Sequence, residues 1–136
     1  MRMLGRLILG LLVVYWVAIF VATHLPPSRL PQTGVGDKTA HVVGYFGLGV
    51  LLYLWLWLRF PARRATGVWV LGICMIYGLV DELLQIPIGR HATLGDWIAD
   101  VIGAAMAVAV METVRWVHPL LSSRRQRVDA APDRMR

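Results

Sequence analysis

Apolar positions in this chain form long unbroken runs. They do not form the short alternations of strands or the narrow stripes of surface helices. Leu7 to Thr23 carries no charged side chain, and Ala40 to Leu58 has His41 as its one ionisable group besides tyrosine. Ala65 to Val80 is apolar and, after Asp81 and Glu82, resumes as Leu83 to Ile88. Trp97 to Val114 is interrupted by Asp100, Glu112 and Thr113. A helix needs about 20 residues to cross a bilayer core, with a usable range of about 17–25. The third run reaches that length only if Asp81 and Glu82 remain helical, with Pro87 as the stop. The pattern therefore predicts an all-α, four-helix transmembrane bundle, with helices near 5–24, 38–59, 65–86 and 94–117. Residues 1–118 make up the transmembrane domain. Residues 119–136 read as a basic, disordered cytoplasmic tail drawn to anionic lipid.

Composition agrees. Apolar types are 57% of the 136 residues and charged types 16%, against about 45–50% and about 25% in soluble domains. This excludes a disordered chain, a collagenous repeat and a water-soluble catalytic domain. The single cysteine, Cys74, excludes an intrachain disulfide.

The net charge of +6 would suggest nucleic acid in a soluble protein. Its placement gives a different reading. Eleven of the fourteen Lys and Arg residues flank one side of the predicted helices: Arg2, Arg6, Arg59, Arg63, Arg64, Arg115 and five arginines from Arg124 onward. Arg29, Lys38 and Arg90 flank the other. Cytoplasmic loops carry the basic excess. Both termini are therefore expected in the cytoplasm, with loops 25–37 and 87–95 outside, in a multi-pass protein of the cell membrane that binds no nucleic acid. Trp57, Trp69 and Trp116 fit an inner aromatic belt, and Trp97 an outer one. A cleaved signal peptide is the competing reading of the first run, with Arg2 and Arg6 as its basic region. No good small-x-small cleavage site follows it.

Once the helices are placed, the unusual residues gather at the outer level. Asp37, Lys38 and His41 open helix 2. Asp81, Glu82 and Gln85 close helix 3. Arg90 and His91 occupy the loop, and Asp96 and Asp100 open helix 4. Ionisable groups near hydrocarbon cost about 2.5–3.5 kcal/mol each on insertion scales, so they face the bundle interior and pair. At helical spacing, Asp37, His41 and Gly44 share an arc, Asp81 and Gln85 share a face with Gly78 and Cys74, and Asp96 and Asp100 share one with Gly103 and Ala107. Asp37 also fits a helix cap, and Thr93-x-x-Asp96 a capping box. His24 and His91 read as interfacial loop residues, Tyr45 and Tyr77 as packing residues, and Glu112 as a snorkelling partner of Arg115.

The order Asp37-Lys38-x-x-His41-x-x-x-Tyr45-x-x-Leu48, Asp81-Glu82-x-x-Gln85, Arg90, Asp96-x-x-x-Asp100-x-x-Gly103 resembles the VanZ-like family of small integral membrane proteins. The family pattern carries Asn where this chain has Asp100. The resemblance implies a cell-envelope role. The family's namesake is associated with resistance to the glycopeptide teicoplanin.

The candidate site is thus Asp37, His41, Asp81, Glu82, Gln85, Arg90, Asp96 and Asp100. Its five acids against Lys38 and Arg90 leave −3 when all are ionised. Such a site calls for a divalent cation, shared protons, or both. Three classes of function fit: chemistry on a lipid-linked envelope precursor, a proton or ion pathway, and a binding or structural module for a glycopeptide, lipid or protein. Four short helices enclose a pore only as a homo-oligomer.

Overall fold

The computed structural model describes residues 2–25, 36–61, 65–88 and 93–129. All regular structure among them is helical: α1 (Arg2–His24), α2 (Asp37–Arg59), α3 (Thr66–Gln85), a 3₁₀ turn at Ile86–Ile88, and α4 (Leu94–Asp129). Each contains a stretch long and apolar enough to cross a membrane. The third does so because Asp81 and Glu82 lie inside α3. Pro87, which has no N–H to donate, sits in the 3₁₀ turn that follows. α4 runs past the expected end at 117 and continues through the basic segment to Asp129.

The helix ends follow local chemistry. Gly36, in extended conformation, precedes α2, and no side chain caps that terminus. Asp37 is therefore the first helical residue, and its carboxylate lies near the positive end of the helix dipole. At the other end of α2, the Phe60 N–H donates to the Leu56 carbonyl at 2.8 Å. The Arg59 guanidinium lies over the Phe60 ring. Thr93 opens α4. Its hydroxyl accepts the Asp96 N–H at 3.0 Å and donates to the Asp96 carboxylate at 2.6 Å.

α2 is the central helix and packs most extensively on α4. α3 covers α4 and part of α2, while α1 lies against α2 and touches α3 lightly. The core contains Leu12, Tyr45, Leu48, Leu52, Tyr53, Val70, Cys74, Ala104 and Met111. Outward positions are apolar too, among them Leu7, Leu11, Val14 and Val17 on α1. Burial of apolar area therefore does not select the helix contacts in a bilayer; close packing of small residues does. The α2–α4 contact shows this. A Cβ at Gly103 would collide with the Val42 carbonyl and crowd the Phe46 nitrogen, so backbone meets backbone there. One and a half turns further on, a Cβ at Gly49 would lie 2.8 Å from that of Ala107. The contact of α1 follows the same logic. Gly47 leaves room for the Tyr15 ring, and the Tyr15 hydroxyl donates to the Gly44 carbonyl at 3.2 Å.

Overpacking of a close-packed interior costs about 1–3 kcal/mol. Gly103→Ala is expected to cost at least that much, because the obstruction is backbone and has no rotamer to yield. Its thermal transition in detergent should fall well below that of Ile102→Ala, which alters an exposed neighbour on the same helix.

Candidate functional site

The α2–α4 contact fixes the site. Val42 lies against Gly103, so the preceding residues of the two helices come side by side. His41 Nδ1 and Asp100 Oδ1 are 2.8 Å apart, and Asp100 is 1% exposed. α3 supplies the third member. Gly78 gives Asp100 room, with Asp100 Oδ2 3.0 Å from where a Cβ would stand. Glu82, one turn later and 5% exposed, brings its carboxylate to the pair. His41, Glu82 and Asp100 each place a potential ligand atom within 4.8 Å of the other two. A second trio, Asp37, His41 and Asp96, meets the same limit one turn further out, with Asp37 exposed.

Glu82 Oε2 accepts the Thr93 N–H at 2.9 Å. This is an unusual use of the donor that opens α4, and it ties the end of α3 to the start of α4. Glu82 Oε1 and Asp100 Oδ2 are buried without a hydrogen-bond partner among the described residues, as is the Tyr45 hydroxyl. Such groups are rare in folded proteins and call for a cause.

Asp81 is built differently. At 1% exposure it accepts hydrogen bonds from the Thr23 hydroxyl at 3.3 Å, the Tyr77 hydroxyl at 3.4 Å and the Gln85 amide at 3.2 Å. His24 Nδ1 stands 3.8 Å away, with its ring stacked on Phe20. Both carboxylate oxygens are therefore occupied, and the donors come from α1 and α3. Asp81 and Gln85 form a separate network that fastens α1 to α3, beside the His41–Glu82–Asp100 trio.

Of the residues singled out from the sequence, Asp37, His41, Glu82, Asp96 and Asp100 form the two overlapping trios. Asp81 and Gln85 form the neighbouring network, in which the carboxylate is satisfied while His24 Nε2 is buried without a partner among the described residues. Arg90 and His91 lie outside the described residues. Of three neighbours, His24 and Trp97 had been given other roles and Thr23 none. Thr23 and His24 reach Asp81 from the last turn of α1; their position at the level of Asp37 was the available signal. Trp97, expected in the outer belt, is half-buried, and its indole N–H donates to the Met75 carbonyl at 3.1 Å. Glycine at 78 opens the space beside its ring. Glu112 stands at the far end of the bundle. It is half-buried, with Oε1 3.1 Å from the Cβ position of Gly67 and Tyr53 beside it.

Four helices of membrane-spanning character and an interior acid–imidazole cluster define a small multi-pass membrane protein with a buried polar cluster at one end of its bundle. The chain belongs to the VanZ/LLP1 family, whose sequence profile matches residues 7–115. The match spans all four transmembrane helices and every residue of both networks. No curated protein and no solved structure matches the chain.

The two networks should respond oppositely to neutralisation. Asp81→Ala strands the buried Gln85 amide and two half-buried hydroxyls and is expected to cost about 1–3 kcal/mol. Glu82→Gln keeps an acceptor for the Thr93 N–H and removes a buried charge, so its melting temperature in detergent with EDTA present should equal or exceed that of the wild type under the same conditions.

Proposed function

We propose that this protein binds or acts on a cell-envelope component through the pocket formed by His41, Glu82 and Asp100, with Asp37 and Asp96 at its rim. The observation that carries this reading is the contrast between the two carboxylate groups. A network that only holds helices together satisfies its own acceptors, as Asp81 does with Thr23, Tyr77 and Gln85. Glu82 and Asp100 leave one buried oxygen each without a partner among the described residues, which suits a site completed by something that arrives from outside. Desolvated acids beside an imidazole are also the usual material of acid–base chemistry.

The distribution of Lys and Arg supports placing this pocket at the extracytoplasmic face of the cell membrane, with both termini in the cytoplasm. In that orientation the trio lies just beneath the outer headgroups, with Asp37 exposed at its rim. Lipid-linked envelope precursors present their polar parts there, and glycopeptides act there. Tolerance of a glycopeptide such as teicoplanin would be one outward sign of this activity. A through-membrane proton path is a poorer reading. Between the trio and the Glu112 end the core holds Leu48, Leu52 and Val70 with Cys74 and Tyr53, and among the described residues no carboxylate or histidine is buried there.

In a strain whose envelope-drug susceptibility depends on this protein, His41→Ala and Glu82→Gln are each expected to abolish the effect while membrane abundance stays at the wild-type level. A collapse of abundance would mark the trio as scaffold. The orientation has its own test. With Cys74 replaced, Asp37→Cys should react with a membrane-impermeant thiol reagent in intact cells, and Arg59→Cys only after permeabilisation.

A further inference from the structure

We propose that His41, Glu82 and Asp100 together bind one divalent transition-metal ion, of the Zn²⁺ or Mn²⁺ kind, in the core of the bundle. This inference rests on the pocket proposed above and names what completes it.

The trio has the composition of a metal site. α2 supplies an imidazole and α3 and α4 a carboxylate each, so the ligands converge from three separate helices. Their ligand atoms lie within 4.8 Å of one another. Small side-chain rotations close that span onto an ion whose ligand bonds are about 2.0–2.2 Å. The second, independent observation is that the two carboxylates are each half-used. Glu82 spends Oε2 on the Thr93 N–H and keeps Oε1. Asp100 spends Oδ1 on His41 and keeps Oδ2. Both side chains are more than nine-tenths buried. A carboxylate oxygen is an acceptor only, so water or a donor side chain could also fill one such position. Two of them beside an imidazole favour a cation.

Charge points the same way. With a neutral imidazole the trio carries two negative charges, which one divalent ion balances. Glu82 stands in the last turn of α3, where the helix dipole is negative and repels a carboxylate. Asp37 and Asp96 are favoured by the opposite dipole at the starts of α2 and α4; Glu82 is offset through one oxygen alone, Oε2 on the Thr93 N–H. The ammonium of Lys38 lies 3.3 Å from the Cβ position of Gly95, at the start of α4.

The outer trio is the weaker candidate. Asp37 is exposed, and one Asp96 oxygen already accepts the Thr93 hydroxyl at 2.6 Å. The imidazole selects the metal class. Mg²⁺ and Ca²⁺ prefer all-oxygen shells, whereas nitrogen donors suit transition ions. Three protein ligands leave coordination positions open, the pattern of sites that take water or an oxygen of a bound molecule.

The test uses the full-length chain, purified, stripped with EDTA and reconstituted in lipid nanodiscs. Calorimetric titration with Zn²⁺, Mn²⁺ and Mg²⁺ is paired with metal analysis after desalting and with thermal melting. The expected result is about one equivalent of Zn²⁺ or Mn²⁺ per chain, a raised melting temperature that EDTA reverses, and weak binding of Mg²⁺. His41→Ala, Glu82→Gln and Asp100→Asn should each weaken binding at least ~10-fold, while Glu112→Gln leaves it unchanged. Asp100→Asn retains an acceptor for His41, so its loss of binding would not reflect misfolding. The proposal is overturned if the wild type takes up neither Zn²⁺ nor Mn²⁺, if Mg²⁺ binds as tightly as they do, or if binding survives in Glu82→Gln and Asp100→Asn. Metal binding with no envelope phenotype counts against the proposed function alone. A phenotype in a protein that binds no metal counts against the ion alone.

Discussion

The backbone contact between α2 and α4 at Gly103 is the constraint on which the site depends. In a bilayer no general solvent force presses helices together, because lipid is as apolar as the helix surface. The helices meet where small residues let backbones approach. Here the approach is close enough that the missing Cβ of Gly103 faces the Val42 carbonyl. That sets the axial register of the two helices, and the register sets His41 beside Asp100. A shift by one residue would turn Asp100 about 100° around α4, away from the imidazole and out of the pocket. Gly78 serves the same end from α3, since it admits Asp100 and thereby brings Glu82, one turn on, to the same point.

Polar groups in a hydrocarbon-level core are costly, and this bundle handles two adjacent acids in two ways. Asp81 is satisfied by neutral donors from α1 and α3 and works as a fastening for the peripheral helix. Glu82 turns toward α4, takes the Thr93 N–H and leaves one oxygen unsatisfied. Neighbours in sequence, they project from the helix about 100° apart, and this separates structure from site. The division also explains why α1, mostly lipid-facing along its length, carries Thr23 and His24 in its last turn: they are its polar attachment to the bundle.

Much of the fold was legible in the sequence, because charge-free runs of membrane length have few other uses. The bounds of α1, α2 and α3 fell within about three residues of those read from composition, and the continuation of α3 through Asp81 and Glu82 followed from length alone. The end of α4 was less legible, since hydropathy marks where a span ends and says little about where helical backbone ends. The shared level of His41, Glu82 and Asp100 was legible, but the face read for the third helix carried Asp81 and Gln85, whereas Glu82 is the acid that meets His41 and Asp100. The division of labour between Asp81 and Glu82 was not legible, because a one-dimensional pattern does not say which helix stands opposite each carboxylate. Trp97 was misjudged for a related reason: its indole N–H goes to the Met75 carbonyl in space opened by a glycine on another helix.

The central claim is that α2 and α4 hold His41 and Asp100 in direct contact inside the membrane. Solid-state NMR on the protein in lipid bilayers, with ¹⁵N-labelled histidine and ¹³C-labelled aspartate, measures that contact directly. The account requires carboxyl-carbon dephasing of an Nδ1 signal, of the strength a 2.8 Å nitrogen–oxygen contact produces, which disappears in His41→Gln. If wild-type and His41→Gln spectra dephase alike, His41 and Asp100 are not in contact, and the pocket described here does not exist.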